Sequence, residues 1–147
     1  MNRGVRRGQG GLSVLLVAES FFVRHYFSRL FEKKHDFWSA SSGSEAIEQL
    51  RGLKSGNNFR FFDLIFINDY LPDMGAAELL QTVGHSQPEA KTFVLLTHPN
   101  DAKPLIERHG ASGVITKPFT TGDILKTIRQ VLPLERLFAA RDLFFPL

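Results

Sequence analysis

The sequence contains no cysteine among its 147 residues, so it can form no disulfide and has no thiolate ligand for a metal. Long apolar runs are also missing. The longest one, residues 13–18, is far shorter than the roughly 20 residues that a membrane-spanning helix needs. The first residues lack the apolar stretch of a signal peptide. These absences favour a cytoplasmic protein without membrane contact.

Several catalytic and cofactor motifs are missing as well. No glycine-rich loop of the dinucleotide or P-loop type follows a predicted strand, and no Ser, His and Asp arrangement points to nucleophilic catalysis. The five histidines show no metal-ligand spacing; they are His25, His35, His85, His98 and His109. We therefore expect a non-enzymatic protein without a cofactor.

The net charge of +3 comes from the amino-terminal end. Arg3, Arg6 and Arg7 stand there without an acidic neighbour, and without them the basic and acidic residues are equal in number. Three charges give only weak, salt-sensitive binding to phosphate backbones. We interpret residues 1–12 as a flexible basic arm, and a nucleic-acid-binding or scaffold role for this arm stays open as an alternative.

From Leu12 onward, short apolar runs alternate with amphipathic stretches, a pattern typical of βαβ units around a parallel sheet. One domain, residues 13–132, accommodates five such units. The predicted strands are residues 13–18, 36–40, 62–68, 92–96 and 113–116. The predicted helices are residues 20–34, 42–53, 76–83, a short one that contains Pro104 and ends at Gly110, and 120–132.

Polar residues begin three of these helices in the manner of caps. Ser20 is a candidate N-cap, and Thr120 with Asp123 opens the last helix. Ser42 and Glu45 have the spacing of a capping box, in which Glu45 would return to the Ser42 amide.

In an open α/β sheet, functional residues gather at the carboxyl ends of the strands. The residues at these positions are Ala18, Glu19, Asn68, Thr97 and Lys117. Pro72 follows Asn68 by four residues, and Lys117-Pro118-Phe119 follows the fifth strand.

This order of motifs resembles the receiver domain of bacterial response regulators. The resemblance implies a flavodoxin-like, doubly wound, five-stranded parallel sheet with strand order 2-1-3-4-5 and helices on both faces. It also implies a role in two-component signal transduction, in which a histidine kinase or a downstream effector is the partner.

The chain departs from that family where phosphoryl chemistry occurs. Asn68 stands in place of the acceptor aspartate, Ala18 in place of one of two acids that hold magnesium, and Val114 in place of an aromatic residue. We therefore expect a stand-alone pseudo-receiver with weak or absent magnesium binding, acting through protein contacts. Glu19 is at most a residual metal ligand, and we favour it as an ion-pair partner of Lys117, which we expect to contact Glu19 or Asn68.

Asp69 is the alternative phosphate acceptor, since it is one residue beyond the vacant position. Neighbouring side chains on a strand point to opposite faces, so we expect Asp69 to project away from the direction of Asn68. A genuine phosphoreceiver that uses Asp69 is therefore the second hypothesis.

Residues 133–147 form a tail that is unusually apolar. Its candidate interaction residues are Leu134, Leu137, Phe138, Phe144 and Phe145. Such residues either pack on their own domain or bury against another molecule. We slightly favour self-association or another interface, because Pro133 redirects the chain after the last helix.

Overall fold

The computed structural model describes residues 11–52 and 61–145. Five parallel strands form a single sheet in the order β2-β1-β3-β4-β5, which confirms the predicted topology. The strands are β1 (Ser13–Val17), β2 (Asp36–Ala40), β3 (Leu64–Asn68), β4 (Lys91–Leu96) and β5 (Gly113–Thr116). The central strands β1, β3 and β4 are apolar except at their ends, because both faces of the sheet are covered.

Helices cover both faces of this sheet. They are α1 (Phe21–Phe31), α2 (Gly43–Arg51), α3 (Ala76–Ser86), α4 (Ala102–Glu107) and α5 (Thr121–Val131), followed by α6 (Leu134–Leu137) and α7 (Arg141–Phe144). One core cluster joins the sheet to α1, α5 and the chain end, and its centre contains the rings of Phe27, Phe31, Phe66 and Phe93. The second cluster packs α2, α3 and α4 on the opposite face.

The predicted caps hold with one change. Thr120 and Asp123 form a complete capping box on α5, and Ser20 Oγ accepts from the Val23 amide. Ser42 Oγ accepts from the Glu45 amide, but Glu45 Oε1 accepts from the Ser41 amide at 2.6 Å and not from that of Ser42. The Glu45 side chain therefore reaches one residue further back than we predicted. Helix α1 also ends earlier than predicted, at Phe31.

The C-terminal segment, residues 133–145, folds back onto the domain. Ala140 and Leu143 are buried in the first core cluster, and Leu137 and Phe144 pack against it. Our slight preference for an interface over intramolecular packing is therefore wrong for these residues. Leu134, Phe138 and Phe145 remain exposed.

Two polar contacts fasten this segment near the amino ends of the strands. Arg136 pairs with Asp63 at 3.1 Å and donates to the Gly11 carbonyl. The second contact joins the Nε2 atom of buried His35 to Asp142 at 3.0 Å, while Nδ1 of His35 accepts from the Leu12 amide. We call these two contacts the C-terminal clasp. Together they join the last helices to the residues just before β1, β2 and β3.

The boundary of the predicted arm shifts slightly. Leu12, which we assigned to the arm, is buried in the core. Arg3, Arg6 and Arg7 lie outside the described residues, as do residues 53–60 and 146–147. Among the residues that are described, no helix is both long enough and apolar enough to cross a membrane.

Candidate functional site

The predicted site residues meet at the carboxyl edge of the sheet. Ala18 follows β1, Asn68 ends β3, Thr97 follows β4 and Lys117 follows β5. The ladder hydrogen bonds continue one step beyond the strands, since the Asp69 amide donates to the Leu95 carbonyl and the Lys117 amide donates to that of Leu96. The register between β3, β4 and β5 therefore brings Asp69, Thr97 and Lys117 together.

Asp69 is at the centre of this group. Its carboxylate is buried, with 8% of the side chain exposed. Oδ1 accepts from Lys117 Nζ at 3.0 Å and from the Tyr70 amide at 3.0 Å, and Oδ2 accepts from the Thr97 amide at 2.7 Å. Lys117 Nζ also lies 3.4 Å from the Thr97 hydroxyl. Both carboxylate oxygens thus accept hydrogen bonds from donors just beyond the carboxyl ends of β3, β4 and β5.

Our prediction that Lys117 contacts Glu19 or Asn68 is wrong. Lys117 donates to Asp69 and Thr97, whereas Glu19 is exposed and its backbone carbonyl accepts a hydrogen bond from Arg24. Asn68 directs its amide to the Tyr70 carbonyl at 2.8 Å. We expected Asp69 to project away from the direction of Asn68. The two side chains do make different contacts, and it is Asp69 that receives the Lys117 ammonium and the Thr97 amide.

Two opposing effects determine the pKa of Asp69. Burial alone would raise it, because the charged form loses hydration. Hydrogen bonds from the Thr97 amide and from Lys117 stabilise the carboxylate more strongly, so the pKa of Asp69 lies below its ordinary value. At neutral pH the site contains an ionised carboxylate paired with a lysine ammonium.

The residues at the expected magnesium position do not match the acids that the family uses. They present the methyl group of Ala18, the carboxylate of Glu19 and the carboxamide of Asn68. Magnesium in proteins is usually bound through one or two carboxylates together with substrate phosphates and several waters. The described residues contain no group of three or more acidic or histidine side chains that could hold a metal. Weak or absent magnesium binding stays a prediction.

Val114, at the position where the family has an aromatic residue, contacts the second core cluster. Val114 is half-buried and packs against the cluster that contains α2, α3 and α4. Thr97 and its neighbour His98 are exposed at the edge of the site.

No local pattern in the sequence indicates a role for Asp73. Its carboxylate accepts from the Gly43 amide at 2.8 Å and from the Ser44 amide at 2.9 Å, and these two bonds lower its pKa. Asp73 therefore caps α2 from the loop that follows Asp69. Its distance of 30 residues from Gly43 explains why no local pattern revealed it.

The comparisons with known proteins agree with this fold. The family described as "Response regulator receiver domain" matches residues 14–129. A protein-glutamate methylesterase/protein-glutamine glutaminase of Paramagnetospirillum magneticum is 30% identical over 118 residues, which are 77% of this chain. The chain spans only 31% of the length of that relative.

Solved structures share the fold. The chemotaxis response regulator CheY4 of Vibrio cholerae is 25% identical with a TM-score of 0.67, and the alignment covers 83% of this chain and 99% of that one. The signal receiver domain of an HD domain-containing protein from Pseudomonas fluorescens has a TM-score of 0.72 at 19% identity. Its alignment covers 86% of this chain and 98% of that one.

Proposed function

Because the chain belongs to the response regulator receiver domain family, we propose that it is a pseudo-receiver: a non-enzymatic, phosphorylation-independent interaction module of two-component signalling. Its partners would be a histidine kinase or a downstream effector, and its location the cytoplasm. In a phosphoreceiver, a phosphoryl group biases the domain between two surface states. The pseudo-receiver would keep a single state.

The ion pair between Asp69 and Lys117 carries this proposal. The Lys117 ammonium, which would face a phosphoryl group, is paired with the Asp69 carboxylate of the same domain. That carboxylate also accepts a hydrogen bond from the Thr97 amide. The position of the acceptor itself holds Asn68, whose amide cannot act as the nucleophile that a carboxylate provides. The three strand ends are thus held together without a phosphoryl group.

A second candidate function rests on the same contacts. Asp69 is the carboxylate that lies against Thr97 and Lys117, the two residues that match the family pattern. One of its oxygens could form a bond to phosphorus while the leaving group of a phosphodonor departs. Before that oxygen could bond to phosphorus, it would have to release a hydrogen bond from Lys117, Tyr70 or Thr97.

Incubation with acetyl phosphate and magnesium, followed by intact-mass measurement, separates the two functions. We expect no phosphoryl adduct on the wild-type chain under conditions that label CheY4 as a positive control. A mass gain of one phosphoryl group that Asp69→Asn abolishes, and that Asp101→Asn leaves intact, would establish the phosphoreceiver and overturn the pseudo-receiver. Asp101 is a suitable control because it is an exposed aspartate near the same edge.

A further inference from the structure

A groove with a volume of about 320 Å³ lies between α5 and α7, away from the Asp69 site. Its lining residues are Gly122, Leu125, Lys126, Arg129, Leu143 and Phe144. The α7 wall lies beyond residue 129, where the match to the receiver family ends. The groove is therefore formed in part by the chain's own C-terminal segment.

The apolar residues of the groove pack in or against the first core cluster. Leu143 is buried, and Leu125 and Phe144 are half-buried against the same cluster. The guanidinium of Arg129 lies over the Phe144 ring, 5.6 Å from its centroid. This cation–π contact holds the ring as a wall of the groove and keeps the positive charge beside it.

The charged side of the groove carries one sign only. Lys126 and Arg129 are three residues apart on α5 and so lie on the same face of the helix. Within residues 11–52 and 61–145, neither of them forms an ion pair. The nearby Asp123 carboxylate accepts a hydrogen bond from the Thr120 amide. Two cations that have no acidic partner in the described part of the chain thus border an apolar surface.

We propose that this groove binds an acidic peptide segment of a partner protein. The segment would place an apolar side chain between Leu125, Leu143 and Phe144, and carboxylates beside Lys126 and Arg129. Charge complementarity selects an acidic occupant, and the apolar walls give a side-chain anchor. A volume near 300 Å³ is at the lower end for a small-molecule site. It suits one or two side chains of a larger partner. The lining residues of the groove are not among the hydrogen-bond partners of Asp69 and Lys117, which are Tyr70 and Thr97 besides each other, so the proposal does not rest on phosphorylation.

Selection of a random 12-residue peptide library, displayed on phage, against the immobilised full-length protein tests this proposal. We expect the enriched peptides to combine acidic residues with a Leu, Ile or aromatic residue. The strongest peptide is then synthesised with a fluorescent label, and its dissociation constant is measured by anisotropy at several salt concentrations. Its affinity should fall as the salt concentration rises.

Two matched pairs of variants assign the binding to the groove. Lys126→Glu with Arg129→Glu should weaken the peptide by about tenfold, since two attractions become repulsions. Lys103→Glu with Arg108→Glu makes the same change in net charge at α4, which packs on the opposite face of the sheet, and should leave the affinity unchanged.

The second pair fills the groove without altering charge. A Cβ atom at Gly122 would meet only Thr120 Oγ1, at an ordinary 3.5 Å, so Gly122→Leu should fold and block the peptide. Gly84→Leu on α3, where a Cβ atom would meet nothing within 4 Å, is the control. Enriched peptides that are basic, no enrichment, or equal binding to Gly122→Leu and wild type would each overturn the proposal. So would light scattering that shows a second copy of the chain occupying the groove.

Discussion

At the scale of single residues, the site depends on which side chain Lys117 reaches. A lysine at the end of β5 could pair with Glu19, Asn68 or Asp69, and the structure selects Asp69. This choice gives the buried carboxylate of Asp69 three donors and leaves Glu19 exposed. An unpaired buried carboxylate would be costly, so Lys117 and the Thr97 amide make the burial of Asp69 possible.

We expect the Asp69 carboxylate to make stability dependent on pH in the acid range. Its folded pKa is lowered, so its contribution is fully present above the unfolded value near pH ~4 and is lost as the pH falls through the folded value. Asp69→Asn should lower the free energy of unfolding by about 2 kcal/mol at pH 7. The difference from wild type should shrink toward pH 2.

Urea denaturation between pH 2 and pH 7 measures this dependence. Asp101→Asn, at an exposed aspartate, is the control and should stay within about 0.5 kcal/mol of wild type at pH 7. A difference between Asp69→Asn and wild type that stayed constant across the whole pH range would show that the ion pair does not stabilise the fold.

The site shows how far single residues could be predicted from the sequence. The motif order brought Asn68, Thr97 and Lys117 to one edge, because strand ends are readable from apolar runs. The partner of Lys117 could not be predicted, since it depends on the register between β3, β4 and β5 and on the reach of a flexible side chain. The same limit applies to Asp73, whose partners Gly43 and Ser44 are 30 and 29 residues away.

At the scale of elements, α5 was predictable because its signals are local. Thr120 and Asp123 are three residues apart, and both halves of the capping box form at 3.1 and 2.9 Å. Helix α1 was less predictable, because Glu32, Lys33 and Lys34 are compatible with a helix and no local signal marks its end at Phe31, where the chain turns toward His35 and β2. Burial of His35 beneath the C-terminal segment fixes that turn, and no local pattern encodes it.

Thr120→Ala should destabilise the domain by about 1 kcal/mol, because it removes the side-chain acceptor for the Asp123 amide. Thr127→Ala on the same helix is the matched control. The Thr127 hydroxyl only donates to the Asp123 carbonyl, which is already within the helix, so its loss should be neutral or slightly stabilising. Thermal melts of both variants measure the effect. Equal losses for the two threonines would contradict the role of the cap.

At the scale of the whole molecule, the C-terminal segment belongs to the core. Leu143 is 8% exposed and Leu134 is 81% exposed, although both are leucines of the same tail. The composition of the tail predicted that its apolar residues pack against the domain or against another molecule. It could not show which of its residues face the domain, because the turn at Pro133 and the clasp decide that.

Leu143→Ala should lower the free energy of unfolding by about 2–3 kcal/mol, since it removes a buried side chain and leaves a cavity. Leu134→Ala should change it by less than about 0.5 kcal/mol. Both shifts should be the same at every protein concentration, which melting curves over a hundredfold dilution would reveal. Melting that depended on concentration in wild type, and was restored to independence by Leu134→Ala, would indicate an interface through the exposed residues of the tail.

The clasp also has a consequence for the order in which the chain folds. Its contacts join residues that are 73, 107 and 125 positions apart, so each closes a long loop. Such contacts lose the most chain entropy and form after local ones. During synthesis, the sheet and α1 to α5 can assemble before Arg136 and Asp142 have been added. Interactions made late contribute little to the folding barrier and mainly slow unfolding. The clasp should therefore determine how long the folded domain lasts, and have little effect on how fast it forms.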